Sequence, residues 1–161
     1  VSTAYGPAWL DLNGTHNVRD VGGLPTRDGR RTRSGVLLRG DHLEELTDEA
    51  AALLRTRTGL RLVIDLRSPQ EAPGRGDWAN GPAGVGVEHL DLPLVDLTRA
   101  ADSVRGLRGD ERTVTAYRVM LDAAGPTLAR ILGELTSGPE HRPALVHCAA
   151  GKDRTGIAVA V

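Results

Sequence analysis

Four short apolar segments, parted by longer stretches, constrain the fold of this chain more than any other feature. Residues 36–39, 60–66, 87–92 and 144–147 read as strands. The second is dense in Leu, Val and Ile, as suits a strand in the middle of a sheet. Residues 48–57 read as a helix, with Thr47 as N-cap and acidic residues in the first turn. Residues 111–124 and 127–136 read as two more helices, parted where Gly125-Pro126 breaks or kinks the chain. In the latter, Leu128, Ile131, Leu132 and Leu135 share one face. Strands alternating with helices predict an α/β architecture, a mostly parallel central sheet flanked by helices. The Pro- and Gly-rich segment 68–86 reads as an irregular connection, and the polar segment 96–110 as a mobile loop over a site.

A chain of 161 residues is sized for one domain, here 1–161. With two Trp, two Tyr and no Phe, its core has to be built from Leu, Val, Ile and Ala. A formal net charge of -1 argues against a dedicated nucleic-acid binder. No apolar run approaches membrane-spanning length and no signal-peptide pattern opens the chain. Stable membrane insertion is therefore not expected, and a cytoplasmic location is the default, with secretion by another route left open. One cysteine, Cys148, excludes an internal disulfide. His16, His42, His89 and His141 share no ligand spacing, so no metal site is read. The oligomeric state is not legible. A helix is still running at Val161, which leads us to expect further helices beyond it.

The chemistry concentrates in His147-Cys148-Ala149-Ala150-Gly151-Lys152-Asp153-Arg154-Thr155-Gly156: a strand end, a short loop and a helix start. The only Lys and the only Cys of the chain lie four positions apart here. Small residues at Ala149, Ala150 and Gly151 allow successive backbone N–H groups to converge into an anion-binding nest, reinforced by the helix N-terminus. Arg154 adds a planar fork that matches phosphate oxygens. Cys148 lies at the floor of this cradle, where positive surroundings favour the nucleophilic thiolate. The Thr155 hydroxyl is near enough in sequence to donate to the sulfur. His147 is read either as a setter of loop geometry or as a buried structural histidine. A nucleotide-binding Gly-Lys loop is excluded, because Val146 and Asp153 occupy positions where that motif needs Gly and Ser or Thr.

Cys-x5-Arg preceded by His and followed by Thr-Gly is the signature of the cysteine-dependent phosphatases. The full segment resembles the bacterial tyrosine and dual-specificity phosphatases of the mycobacterial tyrosine phosphatase B type. Asn17-Val18-Arg19-Asp20-Val21-Gly22-Gly23, Ser34 to Arg39, and Ile64 to Ser68 with Glu71 match that family in the same order. The resemblance implies the cysteine-phosphatase fold, with the Cys loop between a central strand and a helix. It implies Cys148 as nucleophile, Arg154 and the amides of Ala149, Ala150, Gly151, Lys152 and Thr155 around the phosphate, and neither metal nor cofactor. The general acid has three candidates: Asp153, favoured by the resemblance, then Asp96, then Asp65. Lys152 points charge at the substrate rim, as in phosphatases of phosphoinositides. The implied function is a protein tyrosine phosphatase, with dual specificity open, acting on phosphorylated proteins. A phosphoinositide phosphatase and an inactive phosphate-binding module stand as alternatives; a sulfurtransferase is disfavoured by Asp-Arg-Thr-Gly. Asn17 to Gly23 reads as scaffold, with Arg19 and Asp20 pairing internally, and Asp65 with Arg67 as a buried support for the loop.

Overall fold

A computed structural model of the chain describes residues 9–72, 74, 76–95, 97–137 and 142–161, the side chains at 97–99 excepted. Asp96 and His141 lie outside the described residues. The strands are β1 (Arg19–Asp20), β2 (Leu37–Gly40), β3 (Leu62–Asp65), β4 (Glu88–Asp91) and β5 (Ala144–His147), in the sheet order β1-β2-β5-β3-β4. β2, β5, β3 and β4 run parallel, and β1 adds an antiparallel edge. The helices are α1 (Asp48–Thr58), α2 (Leu97–Ser103), α3 (Gly109–Thr136) and α4 (Asp153–Ala160). No helix among the described residues is long and apolar enough to cross a membrane.

The alternation of side chains along each strand divides the core into two halves. Leu38, Val63 and Leu145 pack with Leu54 of α1 and with Trp78, on one face of the sheet. Leu62, Ile64, Ala144 and Val146 pack with Ala124 and Ile131 of α3 and Ile157 of α4, on the other. Every residue of β3 and β5 is buried, which is why both are apolar up to the polar residues, Asp65 and His147, that end them. Thr47 caps α1 as expected: its hydroxyl accepts the Ala50 N–H at 3.2 Å. Gly59 closes the helix in the left-handed conformation, its N–H donating to the Arg55 carbonyl at 2.7 Å.

Three sequence expectations need correction. α3 is one helix through Pro126, not two. The proline and Asp122, whose carbonyl loses its partner, are both exposed to water, while Ala124 and Ile131 anchor the two halves in one core. The segment 96–110 is not a loop throughout, since 97–103 forms α2, which packs on α3 and is followed by the buried Val104. A helix of 7 residues with few apolar positions leaves no periodic pattern to detect. Arg19 and Asp20 do not pair with each other. The Asp20 carboxylate instead accepts the N–H groups of Gly22 (2.8 Å) and Gly35 (2.7 Å), and Arg19 turns to Asn17. Their backbone forms β1, an element too short to read from sequence.

The register decides where the chemistry sits. Gly40 is paired with His147, His147 with Asp65, and Asp65 with Asp91, so four strands end along one line. The loop that leaves β5 opens from the middle of that edge. In a parallel sheet this is where ligands bind, because the chain must turn away there into its helices.

Candidate active site

Cys148 follows β5 directly and is buried, 3% exposed, among the apolar residues facing α3 and α4. From it the chain turns through Ala149, Ala150, Gly151 and Lys152 into α4, whose first residue is Asp153. Each carbonyl of this loop is held from outside. The Cys148 carbonyl meets Nδ1 of His147 (3.3 Å), and that of Ala149 accepts the backbone N–H of His42 (3.1 Å). Nδ2 of Asn17 donates to Ala150 (2.8 Å), and Nη2 of Arg39 donates to Gly151 (2.8 Å) and Lys152 (3.3 Å). No peptide bond here is cis, so each following N–H lies on the side opposite its bound carbonyl. Among the described residues, the amides of Ala149, Ala150, Gly151 and Lys152 donate to no protein acceptor. The first turn of α4 adds amides that no helix carbonyl can satisfy. The result is an inward ring of donors with Cys148 at its base.

Gly151 is the residue that lets the loop close. Its φ is +66°, and a Cβ there would lie 2.3 Å from the Gly40 carbonyl oxygen. Only a residue without a side chain meets both demands.

Arg154 is buried and bound to Glu71 by both arms of its fork, Nη1 to Oε2 at 2.5 Å and Nη2 to Oε1 at 2.7 Å. Burial alone would weaken the guanidinium's hold on its proton, but Glu71 outweighs it and raises the pKa above the ordinary value. Glu71 also accepts the Ser68 N–H (3.0 Å) and hydroxyl (3.2 Å). Burial opposes its charge too, and the donors of Arg154 and Ser68 still hold the carboxyl below its usual range. The carboxylate therefore fixes the plane of the fork, a role that the sequence marked only as a matching position.

Arg39 is a second residue that the structure brings to the loop and that sequence reasoning did not assign. It is partly buried at the end of β2, and its charge interacts with the Cys148 sulfur. Burial and the nearby Arg19 lower its pKa from the ordinary value, while Cys148 opposes them. Asn17 is oriented from behind by Arg19, whose Nη1 donates to both its carbonyl and its side-chain oxygen. The Asp41 carboxylate pins the same turn by accepting the N–H groups of His16 (2.9 Å) and Asn17 (3.1 Å).

Of the three acidic candidates, Asp65 and Asp153 lie among the described residues and Asp96 does not. Asp65 is buried and tied to Arg67, which donates Nη2 to Oδ2 at 2.7 Å and Nε to both oxygens at 3.0 Å. Burial disfavours its charge, but Arg67 and His147 prevail and keep its pKa low. Arg67 continues to Glu44 at 2.7 Å, so Asp65 faces a scaffold network rather than the loop interior. Asp153 is exposed at the loop mouth, where the Tyr117 hydroxyl donates to it. Lys152 is exposed beside it. Burial lowers the His147 pKa and so favours the neutral ring, whose Nδ1 lies 3.3 Å from the Cys148 carbonyl and whose Nε2 lies 3.7 Å from the Asp65 carboxylate. Thr155 is fully buried, and its hydroxyl has no hydrogen-bond partner among the described residues, so the expected bond to the Cys148 sulfur is not formed. No group of three His, Cys, Asp or Glu side chains among the described residues converges as metal ligands would.

The comparisons with known proteins agree with one another. Residues 10–161 match the tyrosine phosphatase family. The triple specificity protein phosphatase PtpB of Mycobacterium tuberculosis is 34% identical over 178 residues, an alignment that covers 94% of this chain and 61% of that protein. A protein of Cupriavidus necator, named as a putative tyrosine-protein phosphatase, is 31% identical over 170 residues, covering 94% and 58%. The chain thus spans about three-fifths of the length of these curated relatives.

Proposed function

The chain belongs to the tyrosine phosphatase family, and from that premise we propose that it hydrolyses phosphomonoesters through a cysteinyl-phosphate intermediate. One observation carries the reading: a buried Cys148 beneath a loop whose carbonyls are all turned outward, next to an Arg154 locked in plane by Glu71. A phosphate group seated there meets inward amides and the face of Arg154 not used by Glu71. Those donors are in place before the reaction, so they stabilise the equatorial oxygens without reorganising. The thiolate attacks phosphorus as the bond to the leaving oxygen breaks, and an acid supplies that oxygen with a proton. Water then releases phosphate and restores the thiol.

For the acid we choose Asp153. Of the two candidates among the described residues, Asp153 lies at the mouth of the loop, whereas Asp65 is committed to Arg67. The substrates we assign are phosphotyrosine proteins, with phosphoserine and phosphothreonine as further substrates, in keeping with a relative named for triple specificity. A phosphoinositide head group is the second class, supported by the exposed Lys152, and soluble head-group assays separate the two. We place the protein in the cytoplasm, where a lone thiol nucleophile stays reduced.

The test is hydrolysis of p-nitrophenyl phosphate, with no metal added, by this chain and by Cys148→Ser. Turnover that disappears in the variant establishes the cysteine chemistry. A folded parent that binds vanadate without turnover would instead mark a phosphate-binding module.

A further inference from the structure

Tyr117 is one of only two tyrosines in the chain and stands on α3, 36% exposed, in a solvent-facing stripe with Val114 and Leu121. Its neighbours along the stripe are apolar, yet its own hydroxyl reaches across to the Asp153 carboxylate on α4. The two residues are 36 positions apart, and the packing of α3 on α4 brings them together.

Asp153 needs such a partner. It is the first residue of α4, exposed, and next to the place where a phosphate dianion would bind. An exposed side chain without a tether samples several rotamers, most of them directed into solvent. The carboxylate in turn raises the Tyr117 pKa above its ordinary value, with burial adding to the effect, so the phenol remains a donor at neutral pH.

We propose that Tyr117 is a positioning residue, whose hydroxyl holds Asp153 at the rim of the loop where the leaving oxygen of the substrate emerges. The inference rests on the reading of Asp153 as proton donor. As the sulfur–phosphorus bond forms and the phosphorus–oxygen bond breaks, the electron pair on the leaving oxygen takes the proton of Asp153. The carboxylate so produced is a stronger acceptor for the Tyr117 hydroxyl than the acid was. The contact therefore strengthens along the reaction coordinate, which is what accelerates a step.

The experiment compares kcat/KM for phenyl phosphate, a poor leaving group, and p-nitrophenyl phosphate, an activated one. The proteins are the parent, Tyr117→Phe, Asp153→Asn and the double variant. Phenylalanine keeps the ring and its packing, and thermal unfolding checks each fold. On phenyl phosphate, Asp153→Asn is expected to lose about 100-fold, as loss of a general acid does, and Tyr117→Phe about tenfold, for one charge-assisted hydrogen bond. Both losses shrink on p-nitrophenyl phosphate, and the double variant is no slower than Asp153→Asn. If Tyr117→Phe slows both esters equally, or adds its full loss to that of Asp153→Asn, the positioning role is overturned while Asp153 keeps its own. An Asp153→Asn loss that ignores the leaving group overturns the acid assignment itself, and the inference with it.

Discussion

At the scale of single residues, the Cys148 loop is held by groups that lie outside it. Glu71 holds the Arg154 fork through two hydrogen bonds, so Glu71→Gln keeps the shape and loses the charge. We expect kcat/KM to fall about tenfold, the worth of one charge-assisted contact, with steady-state kinetics as the check. Gly151→Ala is harsher, since the new Cβ would clash with the Gly40 carbonyl oxygen and alanine would have to hold a φ of +66°. It should cost about 1–3 kcal/mol of stability and most of the activity, measurable by urea unfolding beside turnover. An alanine variant that folds and turns over like the parent would show that the loop tolerates another path. The strand–loop–helix that holds Cys148 to Thr155 was legible in sequence because small loop residues, a strand run and a helix start are local features. Glu71 and Arg39 carried only a pattern match, since nothing local reveals which distant donor or acceptor each one meets.

At the scale of elements, α3 shows how packing overrides a local breaker. Proline in a helix interior costs about 3 kcal/mol, yet buried Ala124 and Ile131 keep the helix whole on both sides of Pro126. Pro126→Ala restores an N–H toward the Asp122 carbonyl at an exposed position. After the entropy that proline removes from the unfolded chain, we expect a net gain of about 1–2 kcal/mol. Equilibrium urea unfolding measures it, and a variant no more stable than the parent would mean the helix bends to relieve the proline. Helix α1 and the strands β2, β3 and β5 were readable because their capping, apolar runs and breakers coincide. α2 and β1 were not, having 7 and 2 residues and borrowing their stability from α3 and β2.

At the scale of the whole molecule, acid should unfold the protein in two stages. His147 is buried neutral with its pKa lowered by burial from 6.5. Below that ordinary value the unfolded chain takes up a proton that the folded one refuses, so stability declines as pH falls from 6.5. Asp65 and Glu71 have folded values lowered from 3.8 and 4.5. Their contribution is intact above those values and is lost as pH falls through and below them. Unfolding midpoints between pH 8 and pH 3 test both stages, and His147→Asn should flatten the first alone. Equal slopes for parent and variant from pH 7 to pH 5.5 would show that His147 becomes charged inside the fold.

What the sequence determined by itself was whatever depends on near neighbours: alternating strands and helices, the cap at Thr47, and the strand–loop–helix that carries Cys148 and Arg154. Only the tertiary structure decided who meets whom. The parallel register sets His147 beside Gly40 and Asp65, and it carries Asn17 to Ala150, Glu71 to Arg154 and Tyr117 to Asp153. A slip of one residue in β5 would turn each of its side chains to the opposite face and undo these meetings. Local pattern encodes conformation, whereas a contact across 36 or 83 residues exists only once the sheet has chosen its register.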